Sequence, residues 1–200
     1  MEPERKFPVM IPVLIVLALI LGLGSLLVIR AAKNSRATLQ VLGQVPQFSA
    51  IKQNGDSFSL ENLKGKISIV DFIFTNCQGI CPPMSANMAR LYNAFEKADN
   101  IQFISISVDP ARDTLTALQQ YASSFEVDDD RWVFLWMPVE DVVSLSENGF
   151  KLAADDLPTG HSSRFILVDS AGQIRGYYDG TDDVSIDKLA DDIGVLAKTI

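Results

Sequence analysis

The sequence predicts an α/β domain built on a central mixed sheet, carried behind one amino-terminal transmembrane helix. Three observations predict it. Residues 9–29 form a run of 21 residues without a charge, and at about 1.5 Å per residue a helix of that length spans the roughly 30 Å hydrocarbon core of a bilayer. From Lys66 onward, β-branched and aromatic runs alternate with stretches whose apolar residues recur at helical spacing, the pattern of strand–helix units. The chain then closes with two strand-like runs around a short turn and a last amphipathic helix, which makes the sheet mixed.

Composition narrows the function. Two hundred residues with 48% hydrophobic content suffice for one sizeable domain plus an accessory segment. The formal net charge is −8, and without residues 1–30 there remain 14 basic against 23 acidic residues. So acidic a folded part excludes nucleic acid and an anionic membrane surface as its partner.

Residues 1–8 are a short amino-terminal segment. It carries Glu2 and Glu4, unlike an arginine-rich, acid-poor mitochondrial transit peptide, so a bacterial protein is expected. Residues 9–29 are longer than the apolar part of a cleaved signal and lack a small-x-small site after it, so the segment reads as an uncleaved anchor. Residues 30–44 read as a tether and 45–200 as the domain. Phe48–Leu60 holds two short strand-like runs around Asn54-Gly55, a hairpin signal. Lys66–Phe74 is a buried strand by its β-branched and aromatic content. Met84, Met88, Leu91, Ala94 and Phe95 mark a helix over Met84–Phe95. Ile101–Val108 is the next strand. Thr114–Phe125 is a helix with Asp113 as its expected N-cap. Trp132–Trp136 is a third strand, Val139–Glu147 a short helix, Arg164–Asp169 and Gln173–Tyr178 the closing hairpin, and Val184–Ile200 the last helix.

The only two cysteines, Cys77 and Cys81, lie on the turn between the first core strand and its helix. Pro82 and Pro83 suit the first helical positions, where a missing N–H costs nothing. Backbone N–H groups and the positive end of the helix dipole then face the sulfurs, so both thiols are expected below the free value of about 8.5. A structural disulfide is the plainer reading, but a bridge across so short a loop removes little unfolded-state entropy.

The one histidine, His161, precedes a strand, and a loop there can pass over the cysteine turn. Two thiolates and an imidazole would be one ligand short of structural zinc and would suit copper. Without the histidine, the thiols could instead run dithiol–disulfide exchange. Asp109-Pro110-Ala111-Arg112-Asp113-Thr114 is either a turn with a helix cap or a cluster serving the site or a partner. Asp128-Asp129-Asp130 reads as a solvated loop, and Met84 and Met88 as core rather than metal ligands.

Thr75-Asn76-Cys77-Gln78-Gly79-Ile80-Cys81-Pro82, then Asp109 to Thr114, then His161-Ser162, taken in that order across roughly residues 45–180, resemble the Sco/SenC family of thioredoxin-like, membrane-anchored copper proteins. The resemblance implies a thioredoxin-like fold with Cys77, Cys81 and His161 as copper ligands. It also implies delivery of copper to the binuclear copper centre of a cytochrome c oxidase subunit, or reduction of that subunit's cysteines, with a thiol reductant or a copper donor as further partner. A membrane-tethered thiol–disulfide oxidoreductase using Cys77 and Cys81 as a redox-active pair is the alternative. The family commonly has proline where this chain has Gln78, and an acidic or bulky residue where it has Gly160; neither difference removes a ligand. Exposed vicinal thiols belong in an oxidising compartment. The domain is therefore expected outside the cytoplasm, on the bacterial inner membrane, against a bare count of Arg5 and Lys6 versus Arg30, Lys33 and Arg36.

Overall fold

The computed structural model describes residues 39–127 and 129–198, with isolated residues 19, 22, 24 and 25 before them. The expected anchor over 9–29 thus lies almost wholly outside the described residues, among which no helix is long and apolar enough to cross a membrane.

Eight strands form one sheet: β1 (Gly43–Gln44), β2 (Ser49–Lys52), β3 (Ser57–Ser59), β4 (Ile67–Ile73), β5 (Ile101–Ser107), β6 (Trp132–Trp136), β7 (Arg164–Val168) and β8 (Gln173–Asp179). Their order is β1-β8-β7-β4-β5-β6-β2-β3. β4 pairs in parallel with β5, and β5 with β6; every other neighbouring pair is antiparallel. The sheet is mixed, as the sequence predicts. All seven residues of β4 and of β5 are buried, because helices or hairpins cover both faces, and such strands read as continuous apolar runs.

Among the described residues, the α-helices that accompany the sheet are α1 (Cys81–Ala94), α2 (Leu115–Ser123), α3 (Val139–Ser144) and α4 (Asp183–Ala197). On one face, Met84, Met88 and Leu91 of α1, Leu118 of α2, and Ile186, Leu189 and Ile193 of α4 pack on Ile69, Ile73, Phe103 and Phe165. The other face carries Val70, Phe72, Ile104 and Ile106 beneath Val142 of α3, Phe58 of β3 and Leu63. Met84 and Met88 are fully buried, so they are core, as expected.

Several boundaries differ from the sequence reading. α1 begins at Cys81 rather than Met84, with prolines in its first turn, where N–H groups have no partner inside the helix. The N-cap of α2 is Thr114, whose hydroxyl accepts from Ala117 N at 3.2 Å; Asp113 is drawn elsewhere. The helix expected over Val139–Glu147 is α-helical only to Ser144 and continues as a π-helical turn, Leu145–Gly149. Within the segment expected as a tether, Gly43 and Gln44 pair with β8. Of the expected solvated loop, Asp129 and Asp130 are exposed and Asp128 lies outside the described residues.

Candidate metal centre

Sheet order makes the site. β4 and β7 are antiparallel neighbours, so the carboxyl end of β4 and the amino end of β7 lie at one edge of the domain. The first leads into the cysteine loop, the second follows His161. Cys77, Cys81 and His161 each offer one donor atom, and the three donors lie within 4.8 Å of one another. They converge as the sequence suggests.

His161 is buried, and its Nε2 lies 3.2 Å from Cys81 Sγ. Its Nδ1 lies 3.2 Å from the Ser162 carbonyl; since a carbonyl only accepts, Nδ1 carries the proton and Nε2 presents its lone pair to the sulfur. Burial pushes the imidazole below its ordinary range, partly opposed by the main chain of Ser162 and Phe72. The ring stands edge-on to Phe74, centroids 5.6 Å apart at 88°. Gly160, just before it, has no room for a side chain: a Cβ there would meet the Asp156 Cβ and carbonyl oxygen at 3.0 Å.

The two thiols are not equivalent, which corrects the expectation that both are acidic. Burial raises Cys77, but the Cys81 side chain and the N–H groups of Cys81, Gly79 and Ile80 more than offset it, so this half-buried thiol lies below its usual range. Cys81 is fully buried. Burial, then the neighbouring Cys77, push it well above the usual range, and the main chain of Phe74 only partly opposes them. A helix N-terminus lowers a thiol pKa only where the thiolate is not desolvated at the same time. Cys77 and His161 open to a hollow of about 460 Å³ bordered by Asn76, Gln78, Ile80 and Thr159, and Cys81 lies beneath it.

Asp113 holds the loop in place. It is fully buried and accepts from Thr75 N at 3.2 Å, Thr75 Oγ1 at 2.6 Å and Ser107 Oγ at 2.6 Å. It thereby ties the turn before Cys77 to the end of β5. Asp109 instead pairs with Arg112 Nε at 2.5 Å. The motif Asp109–Thr114 is therefore both a helix start and a clamp on the cysteine loop, so the two readings that the sequence leaves open both hold; what the sequence does not name is the clamp's main partner, Thr75, 38 residues upstream.

Two soft sulfurs and one imidazole nitrogen fit copper, and fall short of the four protein ligands of structural zinc. Together, the mixed sheet, the Cys-x3-Cys turn and the histidine before β7 define a thioredoxin-like domain carrying a three-donor metal site. The SCO1/SenC family profile matches residues 37–198, and the chain belongs to that family. It is similar to a SCO1/SenC family lipoprotein of Bacillus anthracis, at 33% identity, a TM-score of 0.74 and coverage of 80% of this chain and 99% of that one. It is also similar to BsSco, described with a disulfide switch and as a member of the Sco family of cytochrome c oxidase assembly proteins, at 32% identity, a TM-score of 0.72 and coverage of 80% and 98%. ScoI of Bradyrhizobium japonicum, solved with copper bound, aligns at 25% identity and a TM-score of 0.64, covering 76% and 99%.

Proposed function

We propose that this protein is a copper carrier that receives copper on Cys77, Cys81 and His161 and passes it to the binuclear copper centre of cytochrome c oxidase. The observation that carries the reading is the meeting of three donors within 4.8 Å at one edge of the sheet, supported by the copper-bound relative and by the assembly role stated for BsSco. Copper here is cargo. The chain supplies two thiolates for Cu(I), and the Nε2 lone pair adds the nitrogen that Cu(II) favours. Removing His161 should therefore weaken Cu(II) most and bleach any sulfur-to-copper absorption, while Cys77→Ser or Cys81→Ser should lose both oxidation states. Copper titration of the full-length protein in each state is the test. If His161→Ala binds Cu(II) like the parent, the histidine is structural and the carrier reading fails.

A second reading has its own support. The unequal thiols, one half-buried and more acidic than usual, the other fully buried and less acidic, suit a dithiol that attacks through Cys77 and resolves through Cys81. Reduction of the recipient's cysteines is thus within the same site's means. We also propose that residues 9–29 anchor the chain in the inner membrane with the domain outside the cytoplasm, a reading supported by their uncharged length and by the lipoprotein relative. An alkaline phosphatase fused to the carboxyl terminus should be active; an inactive fusion would place the domain inside.

A further inference from the structure

Beside the hollow that Cys77 and His161 face lies another, a groove of about 410 Å³ with Pro110, Trp136, Pro138, Val139, Leu157 and Pro158 along its walls. One segment divides them: Leu157 and Pro158 border the groove, while Thr159 and His161, next along the chain, border the metal hollow. The groove also meets the other arm of the site. Pro110 and Ala111 line it, and Asp113, two residues beyond, holds Thr75 of the cysteine loop. Whatever fills the groove therefore rests against both segments that position the donors.

The walls offer apolar surface and few hydrogen bonds. Proline has no N–H, and the indole N–H of Trp136 already donates to the Pro110 carbonyl at 3.0 Å, so the half-buried ring presents carbon. Asp109, the one charged residue of the lining, pairs with Arg112 Nε at 2.5 Å. Val139 is 43% exposed. A fixed tryptophan in an apolar hollow, with an exposed valine beside it, has the composition of an interface core.

Charge selects the occupant. Within two residues of the lining, Glu140, Asp141, Asp155 and Asp156 are exposed acids, and Arg112, engaged with Asp109, is the one base. A second copy of the chain would set these acids against themselves. Residues 31–38 carry Lys33 and Arg36 but no apolar side chain larger than alanine with which to fill the groove. What complements the surface is a segment of another protein, with an aliphatic or aromatic side chain flanked by lysine or arginine.

We propose that this groove is where the copper recipient docks, seating an apolar side chain flanked by basic residues while its own metal ligands enter the adjoining hollow. This rests on the carrier reading above, to which it adds the surface that recognises the recipient.

The probe is the soluble copper-centre domain of a bacterial cytochrome c oxidase, reduced and metal-free. Surface plasmon resonance reads its affinity and association rate on the full-length, copper-free protein at low and at high salt, and a parallel run with the Cu(I)-loaded protein reads copper transfer. Val139→Ser should weaken binding about 5-fold, and Ala111→Phe, which fills the groove, at least ~10-fold. Val139→Ser should keep the parental copper affinity and salt dependence. Glu140→Gln combined with Asp155→Asn should slow association and flatten the salt dependence. A parent that passes copper to the domain while all these variants bind it like the parent overturns the docking site and leaves the carrier reading standing; a parent that neither binds the domain nor passes it copper overturns both. Two other results give the groove to a different occupant and end the proposal: a parental dimer that Val139→Ser dissociates with recipient affinity unchanged, or tryptic cleavage at Lys33 and Arg36 that Val139→Ser accelerates with the same unchanged affinity.

Discussion

Asp71 and Asp113 are both fully buried, one in the middle of the central strand and the other just before α2, and they have opposite surroundings. Asp113 accepts from a main-chain N–H and two hydroxyls; Asp71 has no partner at ordinary hydrogen-bond geometry, and Ser105 alone weakly opposes the effect of its burial. Burial alone therefore does not decide what a carboxylate does. With donors on its oxygens it is a clamp whose negative charge is satisfied by dipoles. Without them it is a group held near the point of changing its protonation state.

The strongest way to break this contrast is to remove the clamp. Asp113→Ala leaves the Thr75 N–H, the Thr75 hydroxyl and the Ser107 hydroxyl without their partner. At about 1–3 kcal/mol for each buried orphan, the loss should be on the order of 5 kcal/mol in denaturant unfolding, with copper affinity falling as the loop loosens. A cost below about 1 kcal/mol would mean that water replaces the carboxylate freely and that the clamp is nominal.

Asp71 should act in the opposite sense and with pH. Its folded pKa is raised to about 7 against about 3.9 in the unfolded chain. The folded state therefore holds the extra proton between those values. Stability referred to this group is greatest below about pH 4 and is lost as pH rises through 7, by about 4 kcal/mol in the limit of complete burial. Unfolding midpoints measured from pH 4.5 to 8 should decline in the parent and flatten in Asp71→Asn; parallel curves would show that the carboxylate finds a partner at high pH. The smallest effect belongs to Thr114→Ala, which removes the cap of α2 at about 1 kcal/mol. It should leave the pH slope untouched, and a loss as large as that of Asp113→Ala would mean that cap and clamp are one unit.

Most of the architecture was legible because it repeats: period two and continuous apolar runs for strands, period near 3.6 for helices. β6 matches its sequence range residue for residue. β1 was not legible, since a strand of two residues is too short to carry a pattern. Nor was the π-helical turn over Leu145 to Gly149, because its wider turn is set by packing and leaves no pattern in the sequence. At the site, the cysteine pair announced itself by spacing, and His161 by being the chain's one imidazole. Asp113 reads as a cap because an acid before a helix usually is one, and only the sheet reveals that Thr75 and Ser107 reach it first. Asp71 carries a visible signal, a carboxylate inside the apolar run Ile69-Val70-Asp71-Phe72-Ile73. The inequality of the thiols depends on depth beneath the surface, which spacing cannot express.

The place of β4 between β5 and β7 also divides the site's ligands by how readily their surroundings open. The strand's amides are bonded to both neighbours and covered on both faces, so deuterium should enter there only with global unfolding. The residues before His161 are held by local turns such as Gly160 N to Asp156 O, which can open while the sheet stays closed. Exchange at Gly160 should then run orders of magnitude ahead of exchange at Val70. The imidazole side of the site would fluctuate on a clock of its own, while Cys81 keeps time with the whole domain.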